Sequence, residues 1–214
     1  MKRFERELIR GWLHEATAPT GDGLVITHGA GSNCETPLLR EVAEAFAEAG
    51  YVVLRCDLPF RQDRPHGPPR GLQSRDREGL RRAVEALREI VPGRVLLGGH
   101  SYGGRQATML AAERPELADG LLLLSYPLHP AKEPEKRRTD HFPALRTPAL
   151  FIHGTRDAMG SIEEMREALT MISAPTVLVP IEGAGHALRA DIAPVILRET
   201  KCFENAWNKS SSGS

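Results

Sequence analysis

The sequence is short of cysteine, of net charge and of long apolar runs. Cys34, Cys56 and Cys202 are the only cysteines in 214 residues. An odd number with no CxxC spacing supports neither a disulfide framework nor a zinc site, and it reads as three reduced thiols in a cytoplasmic protein. Lys plus Arg and Asp plus Glu number 28 each. A balanced chain has no bulk field to hold nucleic acid or an anionic membrane surface, so neither is expected as a partner. The longest unbroken aliphatic run is Leu121–Leu124, far below the about 20 residues a membrane helix requires. Residues Met1 to Leu13 alternate charged and apolar side chains and hold no signal-peptide core. No HExxH or similar ligand spacing supports a metal, and no Gly-Lys-Ser/Thr supports a phosphate-binding loop; no cofactor is expected.

What is present is an alternation of short apolar runs with amphipathic stretches. Gly23–His28, Tyr51–Cys56, Arg94–Gly98, Leu121–Ser125, Ala149–His153 and Thr176–Pro180 read as strands. Ile9–Ala16 is a candidate for an earlier one. Five helices fall between or after them. The first opens at Thr36-Pro37 and stops at Gly50. The second carries Leu80, Ala83, Val84, Leu87 and Ile90 on one face, and the third runs from about Ser101 to Glu113. The fourth starts at a Ser161/Glu164 capping box, and the last is expected to be capped by Asp191. Strand–helix alternation predicts an α/β domain over 1–206, with a mostly parallel sheet covered by helices on both faces. A flexible tail is expected over 207–214. Asp57–Leu72 and the proline-rich Tyr126–Thr147 read as loops, which leaves no room for a separate cap domain.

In such sheets, sites lie at the carboxyl ends of the strands. Gly99-His100-Ser101-Tyr102-Gly103 is a G-x-S-x-G sequence between a strand and a helix. That context suits a nucleophile elbow, where a sharp turn lifts the serine oxygen clear of the backbone. His28-Gly29-Ala30-Gly31-Ser32-Asn33 follows the first clear strand. Its small residues allow a backbone N–H, expected from Ala30, to join that of Tyr102 as an oxyanion hole. Asp157 and His186 close the last two strands, in the chain order Ser, Asp, His. Ser101 is then the nucleophile, His186 the base and Asp157 the residue that orients it. Asp140 and Glu182 are alternative acids. Arg61, Arg105 and His141 are candidate substrate contacts.

These segments together resemble the α/β-hydrolase superfamily over roughly residues 8 to 206. More narrowly, SYPLHP at 125–130, RTDHF at 138–142 and HGTRDAMG at 153–160 resemble the small dienelactone-hydrolase-like group related to testis-expressed protein 30. The familiar dienelactone hydrolases use a cysteine nucleophile, whereas this chain has Ser101. The residues and the resemblance lead to one expectation: a serine hydrolase acting on a small carboxylic ester, thioester or related acyl compound through a covalent acyl-enzyme. Two alternatives stand beside it: a small peptidase or amidase using the same triad, and a non-catalytic interaction protein that keeps the fold.

Overall fold

The computed structural model describes residues 1–211. Eight strands form one sheet: β1 (Lys2–Arg6), β2 (Ile9–His14), β3 (Gly23–Thr27), β4 (Val52–Asp57), β5 (Val95–His100), β6 (Gly120–Leu124), β7 (Ala149–Gly154) and β8 (Thr176–Ile181). Their spatial order is β1-β2-β4-β3-β5-β6-β7-β8. β1 and β2 pair antiparallel, as do β2 and β4, and all other pairings are parallel. Six α-helices connect or flank them: α1 (Pro37–Glu48), α2 (Pro59–Asp63), α3 (Gln73–Arg88), α4 (Tyr102–Glu113), α5 (Ile162–Leu169) and α6 (Ala193–Ser211).

The strands β3, β6 and β7 are buried along their whole length, which is why they read as continuous apolar runs. The two-residue period sorts their side chains between two cores. Val25, Leu97, Leu121, Leu123 and Phe151 join Leu80 and Val84 of α3, Leu110 of α4 and Met165 of α5. Leu24, Ile26, Leu96, Leu122 and Ile152 face the other way, onto Leu39, Val42 and Phe46 of α1 and Ile196 and Phe203 of α6. Helices on both faces of a mostly parallel sheet are the architecture the alternation predicts.

The differences from the sequence reading have local causes. β1 (KRFER) has one apolar side chain, Phe4, too few to mark a strand; it is an exposed edge strand recruited by pairing with β2. The Asp57–Leu72 loop contains α2, a single short helix begun by Pro59. Asp191 does not cap the last helix. It lies in a 3₁₀ turn (Ala190–Ile192) and pairs with Arg189 at 3.0 Å. The flexible tail expected from 207 is helical through Ser211, because the apolar seam of α6 continues from Phe203 to Trp207; residues 212–214 lie outside the described residues. The Ser161/Glu164 box is formed, with each backbone N–H donating to the other's side chain at 2.8 and 3.2 Å. The segment between β6 and β7 holds one 3₁₀ turn (Phe142–Ala144). No helix among the described residues is long and apolar enough to cross a membrane.

Candidate active site

The elbow is strained and built to be so. Ser101 sits alone between β5 and α4 at φ 52°, ψ −117°. An L-residue with positive φ stores on the order of 1–3 kcal/mol, and surrounding structure must hold it there. Ser101 N–H donates to the Leu124 carbonyl at 2.8 Å, and Arg105 N–H donates to the Ser101 carbonyl at 3.0 Å. A Cβ on Gly99 would lie 2.5 Å from the Gly103 carbonyl carbon, and one on Gly103 would lie 2.6 Å from the His28 carbonyl oxygen. Strand, helix and neighbouring loop therefore meet only because both positions are glycine.

Ser101, His186 and Asp157 come together in a continuous hydrogen-bonded row. His186 Nδ1 lies 2.8 and 3.0 Å from the two Asp157 oxygens, and its Nε2 lies 2.7 Å from Ser101 Oγ. A carboxylate can only accept, so the ring proton resides on Nδ1 and Nε2 accepts from the serine hydroxyl. Asp157 also accepts from Met159 N–H at 2.8 Å. Burial pushes the Asp157 carboxyl up, but the hydrogen bonds from His186 and Met159 outweigh it and hold the group below its ordinary range. Asp140 and Glu182 are not hydrogen-bonded to His186.

Other histidines hold this row in place. His100 Nε2–H donates to the His186 carbonyl at 3.0 Å, fixing the loop after β8. His153, at the base of the Asp157 turn, donates to the Gly160 carbonyl at 2.8 Å. His28 Nε2 accepts from Leu58 N–H at 3.0 Å, so its Nδ1–H donates to the Gly29 carbonyl at 2.8 Å and ties the loop after β3 to the loop after β4.

A cavity of about 290 Å³ opens at Ser101, and Ala30 and Tyr102 line it. The backbone N–H groups of these two residues donate to no acceptor among the described residues. The Tyr102 hydroxyl donates to Asp76 at 2.7 Å, and Asp76 in turn accepts from Phe60 N–H at 3.0 Å. The first turn of α4 is thereby fixed to α3 and α2. Sequence reading offers Asp76 only as a partner for nearby arginines, and no motif announces its bond to Tyr102.

Of the three candidate substrate contacts, one lines the cavity. Arg61 does not. It is 3% exposed, and its guanidinium donates to the carbonyls of Ser32, Arg64, Ala30 and Gly67 at 2.7, 3.1, 2.8 and 2.9 Å. Four of its five donors are spent on shaping the Ala30 loop, so it is a clasp and not a ligand for substrate. Arg61→Ala should cost roughly 3 kcal/mol by leaving buried carbonyls unpaired. It should also lower kcat through displacement of Ala30, with any preference for charged substrates unchanged. Denaturant titration and ester kinetics check both parts.

His141 does not line the cavity either. Its Nε2 donates at 2.8 Å to the Thr108 hydroxyl, which donates to the Arg105 carbonyl at 2.9 Å. Arg105 does line the cavity, joined by Arg138, one of the basic residues that the Tyr126–Thr147 loop carries to this end of the sheet. Arg105 Nη1 donates to Gln73 Oε1 at 3.2 Å, and its buried Nε has no partner. Arg138 Nη1 reaches the Pro127 carbonyl at 3.4 Å. Among the described residues neither guanidinium forms an ion pair. Burial, and then repulsion from Arg105, lowers the Arg138 pKa.

Five buried histidines, His14, His28, His100, His141 and His153, are held neutral by the fold. Burial, reinforced by Arg55 beside His14 and by Arg105 beside His141, brings His14, His28 and His141 down to about 4. Unfolded histidine titrates near 6.5. Below that value the unfolded chain binds more protons than the fold, so stability is complete above about 6.5 and is lost as pH falls towards 4. Asp76 and Glu204, pushed up by burial, act in the opposite direction. Urea titrations should give a lower stability at pH 5 than at pH 7. Equal midpoints would mean that these rings charge freely in the native state.

Comparison with known proteins shows the family and the fold. The model of the alpha/beta hydrolase domain family matches residues 21–204, and the chain belongs to that family. A protein of Escherichia coli strain K12, provisionally named a carboxymethylenebutenolidase, is 32% identical over 124 residues, which is 54% of this chain and 44% of the relative. The match thus spans less than half the length of that curated relative. A dienelactone hydrolase from Anabaena variabilis superimposes with a TM-score of 0.72 at 26% identity, covering 92% of this chain and 91% of the other. A lidless α/β serine hydrolase from Xanthomonas campestris gives a TM-score of 0.74 at 16% identity over 94% and 93% of the two chains, a likeness of fold. Within its family the chain stands with the dienelactone-hydrolase-like group.

Proposed function

We propose that this protein is a serine hydrolase that cleaves a carboxylic ester, thioester or related acyl compound through a covalent acyl-enzyme. The observation that carries the reading is the unbroken row from Ser101 Oγ through His186 to Asp157, beside two unengaged N–H groups. Ser101 Oγ attacks the carbonyl carbon while its proton passes to His186 Nε2. Asp157 stabilises the imidazolium that results. The carbonyl oxygen takes up negative charge and accepts from Ala30 and Tyr102 N–H, reinforced by the N-terminus of α4. Collapse of the tetrahedral species breaks the bond to the leaving atom, which takes the proton from His186 Nε2. Water then repeats the sequence on the acyl-serine and regenerates the enzyme.

A fluorophosphonate probe tests this reading directly. One equivalent should attach to Ser101 in the wild type and none to Ser101→Ala. Labelling of the alanine variant at full yield would show that another residue is the nucleophile.

A further inference from the structure

We infer that the site divides its substrate in two, an anionic acyl group against Arg105 and Arg138 and an apolar leaving group in the groove beside His186. This rests on the serine hydrolase reading and adds the class of substrate to it: an open-chain half-ester of a short diacid with an alcohol of apolar chain.

Reaction geometry makes the division. The leaving atom must receive the proton on His186 Nε2, so it departs on the histidine's side of the attacked carbon. The acyl chain extends away from that side. The two sides differ in chemistry. Away from His186 lies the 290 Å³ cavity, with Arg105 and Arg138 in its wall. Two guanidiniums without a carboxylate between them favour an incoming anion, and their planar forks suit a carboxylate. Among the described residues no carboxylate forms an ion pair with either, and Glu133, whose charge reaches Arg138, is itself paired with Lys136.

On the histidine's side a groove of about 510 Å³ has in its wall His100, whose ring lies 5.6 Å from that of His186. It runs along Ala187, Leu188 and Ala190, which follow His186, and against Pro37 and Leu38 at the start of α1. The charged residue in its wall, Arg189, is solvent-exposed and pairs with Asp191. A hydrocarbon chain placed there covers apolar surface without stripping water from a charge. A small-ring lactone has its acyl and alkoxy halves tethered and fills only one of the two compartments.

Four esters test the division: monohexyl succinate, monomethyl succinate, hexyl pentanoate and methyl pentanoate. Monohexyl succinate should have the highest kcat/KM. Removing its charge and removing its tail should each cost about tenfold. Arg105→Gln and Arg138→Gln, made separately so that one failing to fold leaves the other, should abolish the charge preference and keep the hexyl-to-methyl ratio. Ala187→Asp, at an exposed position in the groove, should abolish the hexyl preference and keep the charge preference. Equal efficiency on all four esters overturns the division, as does an arginine substitution that shifts the chain-length ratio instead. If the wild type takes the fluorophosphonate at Ser101 yet does not distinguish the esters, the hydrolase reading survives and the division falls. If Ser101 is not labelled, both fall.

Discussion

Ser101→Ala should lower kcat by about 10⁴–10⁶-fold on any ester the wild type cleaves, with the fold intact. The size follows from what remains. Alanine leaves His186 paired to Asp157 and both N–H donors in place, so only the stabilisation those donors give to direct attack by water persists. The side chain lost is small, and among the described residues Oγ makes no hydrogen bond other than the one to His186. The strain at φ 52° is a backbone property and stays with alanine. The thermal midpoint should therefore stay within a few degrees of the wild type. Purified protein, a chromogenic ester and a melting curve are sufficient. A residual rate above about 1% of wild type would place the nucleophile elsewhere.

The second large effect is a failure of additivity. His186→Ala should reduce kcat by about as much as Ser101→Ala, and Asp157→Asn by about 10⁴-fold. The asparagine can still accept from Met159 N–H, so local structure survives. It can no longer hold the proton on His186 Nδ1, and a ring protonated on Nε2 cannot accept from Ser101. Adding either substitution to Ser101→Ala should cost less than about tenfold further, because the proton relay is already broken. If the effects multiply, the three residues act independently, and the 2.7 and 2.8 Å contacts are structural.

How much of this was legible in the sequence depends on whether a residue acts through its neighbours in the chain or across the fold. GHSYGG carries its own geometry, since glycines 99 and 103 are dictated by contacts within a few residues of the turn or with the adjoining strand. Asp157 and His186 are legible because parallel strands bring successive loops to one end of the sheet. Arg61 was misjudged for the opposite reason. A cation in a loop near the site reads as a ligand for substrate, and only the folded chain brings the carbonyls of Ser32, Ala30, Arg64 and Gly67 around it. The role of Asp76 went unseen because its partners, Tyr102 and the Phe60 N–H, are 26 and 16 residues away. β1 went unseen because an edge strand needs only a neighbour's free hydrogen-bonding groups, not an apolar face. The continuation of α6 past 206 rests on Trp207 meeting Phe203, one turn of helix apart.

The crowding at Gly99 and Gly103 has a consequence for evolvability. Bond-making chemistry is invested in positions where even one added methyl group collides with backbone, so drift there is closed. On the division of the substrate proposed above, selectivity lies elsewhere: with Arg138 on the connection between β6 and β7, Pro69 on that after α2, and Ala187 to Ala190 after β8. These segments lie outside the sheet, and apart from anchors such as Leu188, Leu128 and Phe142 they lie outside its two cores. A laboratory library confined to them can exchange one acyl or alcohol preference for another while the rate-determining machinery is inherited unchanged.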